Sequence, residues 1–287
     1  MSTYLERLAA RTRSVSSVLC VGLDPQPEAL PPGFSQNLAG VERFCEVLLE
    51  AALPHAAAVK PNLAFFEAFG ADGVAALERL RARVPADVPF VADAKRGDIG
   101  STAARQAAAL FDILGADAVT VNPYLGSEAV EPLISRGDRF AYLLCRTSNP
   151  GASELQGLEV AADPSEDAPS EALYARVARR AQGWGPGGTV GLVVGATAPL
   201  ELERIRQISP ALPFLVPGIG AQGGELEPVL RFGPTSVGPA SVGAGAGLLV
   251  NVSRGISGAA KTEGDVAEKI AAAAAEWAAR LRIDRLG

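Results

Sequence analysis

The stretch FVADAKRGDIGST, residues 90–102, runs from apolar residues through a charged cluster and a glycine turn into a helical pattern, AARQAAALF. An apolar strand that ends in Asp93 and Lys95, turns at Gly97 past Asp98 and enters a helix after Gly100 is one βα unit. Residues two apart on a strand face the same way, so Asp93 and Lys95 are predicted to point together, into the interior if the strand lines a barrel. Ser101 and Thr102 stand where a helix N-cap is expected.

Seven more apolar runs flank this unit: VLCVGLD (18–24), AAVKPN (57–62), AVTVNP (118–123), AYLLCRT (141–147), VGLVVGA (190–196), FLVPGI (214–219) and LLVNVSR (248–254). Between them, sets such as Val41, Phe44, Leu48 and Val266, Ile270, Trp277, Leu281 recur at helical spacing and mark core-facing stripes. Strands apolar on both faces, each followed by a helix, fit a closed barrel or an open doubly wound sheet. Eight repeats, without G-x-G-x-x-G after the first strand, favour an α/β fold of the (β/α)8 TIM-barrel type. One domain over 1–287 is expected, with an N-terminal helix at about 2–13 and a long acidic surface loop at about 152–170. The Gly/Pro/Ser-rich stretch 233–247 has side chains too small to anchor a core and is expected to be locally mobile.

A chain of 287 residues, 48% hydrophobic and 20% charged, is long enough for such a barrel of about 250 residues. The opening MSTYLERLAARTR carries charge throughout, and no run approaches the roughly 18 apolar residues of a membrane span, so a cytoplasmic protein is expected. A net charge of −6 without a basic stripe argues against nucleic acid as a partner. Cys20, Cys45 and Cys145 lie in apolar contexts and read as reduced, buried packing residues. The single histidine, His55, follows Pro54 and reads as a capping or surface residue. With no second histidine and no paired cysteines, a Ser-His-Asp triad and the usual zinc sites are excluded. Chemistry then falls to carboxylates, lysines and backbone.

Barrel enzymes place that chemistry where strands end and βα loops begin. Here the strand ends carry Asp24, Lys60, Asp93 with Lys95, Asn122, Thr147 with Ser148, Pro217 with Gly218, and Arg254. Lysine occurs at only four positions, Lys60, Lys95, Lys261 and Lys269, and two of these are strand ends. An ammonium can give a proton to a reacting carbon, whereas a guanidinium is too weak an acid. FLVPGIGAQGG after the seventh strand and NVSRGI at the eighth put glycines and Arg254 where barrels often hold phosphate.

Together DAKRGDIGST, VGLDP, VKPN, RTSNPG, VPGIGAQGG and NVSRGI, spanning about residues 18–256, resemble the orotidine 5′-phosphate decarboxylases, and among them the bacterial branch with longer chains. The resemblance implies conversion of orotidine 5′-monophosphate to uridine 5′-monophosphate and CO2 with neither cofactor nor metal. It implies that Asp24 and Lys60 hold the ribose hydroxyls, that Asp93 faces the substrate carboxylate and that Lys95 protonates C6. It further implies a homodimer in which Asp98 and Thr102 reach the neighbouring site. Ser148 would meet the pyrimidine edge, Gln222 would bridge the closing loop to phosphate and base, and Arg254, with amides near Gly218 and Gly220, would grip the phosphate. Asn122 and Pro217 complete the expected substrate-binding set. D-x-K-x-x-D alone is shared with metal-dependent sugar-phosphate decarboxylases and aldolases, the second alternative. A non-enzymatic barrel that binds phosphorylated ligands for regulation is the third. RTSNPG with GIGAQGG argues against the former, and an intact Lys95 and Asp98 against the latter.

Overall fold

The computed structural model describes residues 2–166, 169–261 and 264–286; residues 167–168 of the acidic connection lie outside that set. Eight strands form one parallel sheet: β1 Leu19–Leu23, β2 Ala58–Pro61, β3 Val91–Arg96, β4 Ala118–Val121, β5 Phe140–Arg146, β6 Val190–Val194, β7 Phe214–Val216 and β8 Leu249–Val252. Each coincides with one of the apolar runs. The order is β2-β1-β8-β7-β6-β5-β4-β3, and single bridges Val59–Phe90 and Asn62–Asp93 join the two ends, so the sheet is a nearly closed (β/α)8 barrel.

Valine, leucine and alanine on both faces make these strands double-sided. The outward side chains, among them Val21, Val59, Val119, Leu192 and Val250, pack beneath the helices in one core. The inward ones, Cys20, Ala58, Val91, Ala118, Phe140, Tyr142, Val193, Leu215 and Leu249, fill the barrel as a second core. Helix α1, Tyr4–Val15, starts from a capping box in which Thr3 and Glu6 exchange hydrogen bonds. It closes the N-terminal end of the barrel: Tyr4 is fully buried, stacks on Phe140 at 4.8 Å and shares a 3.1 Å hydrogen bond with the Tyr142 hydroxyl. Beside it Asp117 accepts hydrogen bonds from Arg7 and from the Phe90 backbone N–H, with Arg81 and Arg139 also within ion-pair distance. With that end sealed, the cavity described below lies at the opposite one.

One connection differs from its sequence reading. The acidic segment after β5 is partly folded: a short helix, Ser153–Gln156, precedes a two-stranded ribbon of Glu159–Val160 and Glu171–Ala172. Buried Glu171 pins that ribbon to the following helix, α2 Leu173–Ala181, by accepting hydrogen bonds from Arg176 and Arg179. In the glycine-rich stretch 233–247, Gly245 packs closely against α1 and against Val18, the residue before β1. A Cβ at Gly245 would stand 2.7 Å from the Thr12 methyl and 2.9 Å from Val18. No helix among the described residues is long and apolar enough to cross a membrane. The three cysteines are buried and unpaired, and burial pushes the Cys20 thiol up to about 12.

Candidate active site

A cavity of about 730 Å³ opens at the C-terminal ends of the strands. Its floor is a charged chain at the seam where β2 meets β3. Lys60 Nζ donates to Asp93 Oδ2 at 2.6 Å, and Lys95 Nζ donates to Asp93 Oδ1 at 2.6 Å. Lys60 is 4% exposed and Asp93 9%, whereas the Lys95 side chain is 47% exposed and faces the open space. Burial alone would lower the Lys60 pKa, but the charges of Asp93 and Asp24 and the Asp93 hydrogen bond outweigh it and raise the net value. Burial would likewise raise Asp93, yet Lys60 and Lys95 hold it well below the ordinary carboxylate range. The Lys60–Asp93 pair is therefore ionised at neutral pH.

Lys95 meets Asp93 by a different route from simple strand alternation. The β3–β4 register shifts between Ala92 and Arg96, and Lys95 adopts φ 47°, a left-handed conformation uncommon for a residue with a side chain. Thr120 on β4 holds the bulge: its Oγ1 accepts from the Lys95 backbone N–H at 3.0 Å and donates to Asp93 Oδ1 at 2.8 Å. A local strain of this kind, stabilised by its surroundings, is common where a side chain must be aimed. Thr120 was not singled out from the sequence, although a hydroxyl inside the run AVTVNP is the signal that would have found it.

Nine of the thirteen expected site residues line this cavity: Asp24, Lys60, Asp93, Lys95, Ser148, Pro217, Gly218, Gln222 and Arg254. At Gly218, φ 98°, a Cβ would stand 3.0 Å from both the Gln222 Oε1 and the Ser148 Cβ, so a glycine there lets loop and strand end meet. Arg254 is exposed at the rim and has no ion-pair partner among the described residues.

The other four lie elsewhere in this chain. Asp98 turns back on its own loop, where its Oδ1 accepts from the Ile99 N–H at 2.8 Å. Thr102 is exposed in the first turn of the helix Gly100–Ala107, whose N-cap is Ile99 without a side-chain cap, so neither Ser101 nor Thr102 is the cap. Asn122 closes its own turn by accepting from the Tyr124 N–H at 3.0 Å. Gly220 turns away toward Trp277, whose ring would be 3.1 Å from a Cβ placed there.

The sequence reading also passed over residues that line the cavity. Lys261 and Asn251 are two. Gln156 is a third: its Oε1 accepts from the Thr147 N–H and its Nε2 donates to the Thr147 hydroxyl, both at 2.9 Å.

Fixed charges on the floor and an unpaired arginine at the rim suit a ligand that is anionic at both ends. This is the class of (β/α)8 barrels that work on anionic ligands through fixed side-chain charges. Within that class, the family model for "Orotidine 5'-phosphate decarboxylase / HUMPS family" matches residues 17–270, and the chain belongs to this family. An orotidine 5′-phosphate decarboxylase of Thermomicrobium roseum is 48% identical over 255 residues, 88% of this chain and 86% of that one. One from Roseiflexus sp. is 43% identical over 98% of this chain and 96% of its own. Among solved structures, Leishmania donovani OMP decarboxylase superposes with a TM-score of 0.82 at 39% identity over the whole of both chains. Leishmania donovani UMP synthase gives 0.83 at 41% identity over 99% of this chain and 57% of that one.

Proposed function

We propose that the chain is a carboxy-lyase that converts orotidine 5′-monophosphate to uridine 5′-monophosphate and CO2, with Lys95 as the proton donor and no cofactor or metal. The observation that carries the proposal is the Lys60–Asp93–Lys95 chain on the floor of a cavity whose rim holds unpaired Arg254. Family membership supports the substrate.

In this reading the C6–carboxylate bond breaks, CO2 leaves, and its electron pair stays on C6. The Lys95 ammonium stabilises that pair and then delivers a proton to it. Asp93, fixed by three hydrogen bonds, faces the departing carboxylate. Two carboxylates about 4 Å apart at an effective dielectric of 20 repel by roughly 4 kcal/mol, or about three powers of ten in rate if relieved in the transition state. The larger share comes from Lys95. Asp24 and Lys60 hold the ribose, Ser148 meets the pyrimidine edge, and Arg254 and Gln222, with backbone from Pro217 and Gly218, hold the phosphate. Phosphate binding, remote from the breaking bond, drives closure of the 218–224 loop.

Asp98 and Thr102 fit this scheme through a homodimer. They lie outside their own cavity, beside exposed Ile99, Tyr124 and Leu125 on adjoining loops, an apolar face that a second copy would cover. In that assembly each Asp98 completes the neighbour's charged array.

The test is Lys95→Ala beside Lys95→Arg. Arginine restores the charge without a removable proton, so both variants should lose at least about 10³-fold in kcat while binding uridine 5′-monophosphate. A Lys95→Arg enzyme with near-normal kcat would refute the proton-donor role.

A further inference from the structure

Asn251 is an unusual residue for the middle of a barrel strand. In β8 the side chains of Leu249 and Asn251 share the inward face, and Leu249 packs in the inner core. Asn251 is only 8% exposed, yet its Oδ1 has no hydrogen-bond partner among the described residues. A buried amide oxygen normally meets a protein group, a water or a ligand, and one that lines a cavity is placed to meet what the cavity holds.

The surroundings indicate which ligand. A Cβ at Gly22 of β1 would lie 3.2 Å from Asn251 Oδ1 and 2.7 Å from the Ser253 Cβ, so a glycine is what lets β1 lie this close to Asn251. Asp24, two residues further along the same chain, has an Oδ1 that is likewise buried and unpartnered, and both Asp24 and Asn251 line the cavity. Both atoms are acceptors, which repel phosphate and carboxylate oxygens and call for O–H or N–H donors.

We infer that Asn251 is a further binding residue of this site and accepts a hydrogen bond from a sugar hydroxyl of the bound nucleotide. The inference rests on the nucleotide reading above and adds a discriminating contact from β8. A site built to bond a hydroxyl rejects a ligand that lacks it, because the amide is then buried unpaired.

The test is a cycle of calorimetric binding with uridine 5′-monophosphate and its 2′-deoxy and 3′-deoxy forms, on the wild type, Asn251→Ala and Asn251→Leu. Leucine keeps the volume and suits the inward row of β8, which guards against a variant that fails to fold. Both variants should bind uridine 5′-monophosphate about 10-fold more weakly, and that loss should shrink to within 2-fold for the one deoxy nucleotide that lacks the contacted hydroxyl. An equal loss with all three nucleotides would assign Asn251 to packing and overturn the inference, as would no loss with any. Because binding is read without turnover, a wild type that binds the nucleotide but does not decarboxylate would refute the proposed reaction and leave this result standing.

Discussion

Asp93 ties two lysines, Lys60 and Lys95, together at the buried floor of the cavity. Asp93→Asn would leave Lys60 buried without its anion, and removal of one partner from a buried pair typically costs about 3–5 kcal/mol. Urea unfolding should show a loss of that order. The pH dependence follows from the two shifts. The Asp93 pKa is depressed, so its contribution is present above the unfolded value near 3.9 and is lost as pH falls through its own lower value. The Lys60 pKa is raised, so its contribution is present below about 10.4 and is lost as pH rises through its higher value. Between pH 5 and 9 the stability difference between wild type and a Lys60→Met/Asp93→Asn double variant, which removes both groups, should therefore be flat, and a steep slope in that window would contradict an ionised pair. Arg254, by contrast, is unpaired and exposed, so Arg254→Ala should leave stability almost unchanged while it lowers kcat/KM at least about 100-fold, read by steady-state kinetics. An unaffected kcat/KM would remove it from the site.

Among the elements, the eight strands were legible because parallel strands buried on both faces must be written as short apolar runs, and polar residues at their ends stood out against that background. Lys60, Asp93 and Arg254 were found this way. The bulge in β3 was not legible, because alternation assumes a regular pleat and the shift depends on Thr120 from the next strand. Asn251 was hidden by the strand itself, as one polar letter within LLVNVSR. Gln156 lay in a segment that read as plain loop, since its role is set by a fold-back onto Thr147 nine residues earlier. That contact yields a prediction for the element. Gln156→Ala frees the Thr147 N–H and hydroxyl and loosens the strand end that carries Ser148, so KM should rise about 5- to 10-fold, with kcat changed less than 3-fold. Steady-state kinetics decide it, and an unchanged KM would show that the folded segment does not position the site.

For the whole molecule, the barrel separates a sealed end that stabilises from an open end that reacts. Asp117 sits at the sealed end, buried among Arg7, Arg81 and Arg139 and bonded to the Phe90 N–H. Asp117→Ala should lower unfolding stability by about 3 kcal/mol and leave KM unchanged, as measured by urea denaturation beside steady-state kinetics. A large change in KM would mean that the two ends are coupled. The central claim concerns the open end: fixed charges of this chain decarboxylate the nucleotide without help from a metal or cofactor. It is tested most directly by the ultraviolet absorbance of orotidine 5′-monophosphate mixed with the purified wild-type protein in EDTA. The account predicts steady loss of that absorbance at an undiminished rate in the chelator, with uridine 5′-monophosphate as the product. Absorbance that stays constant, or falls only when a divalent cation is restored, would contradict it.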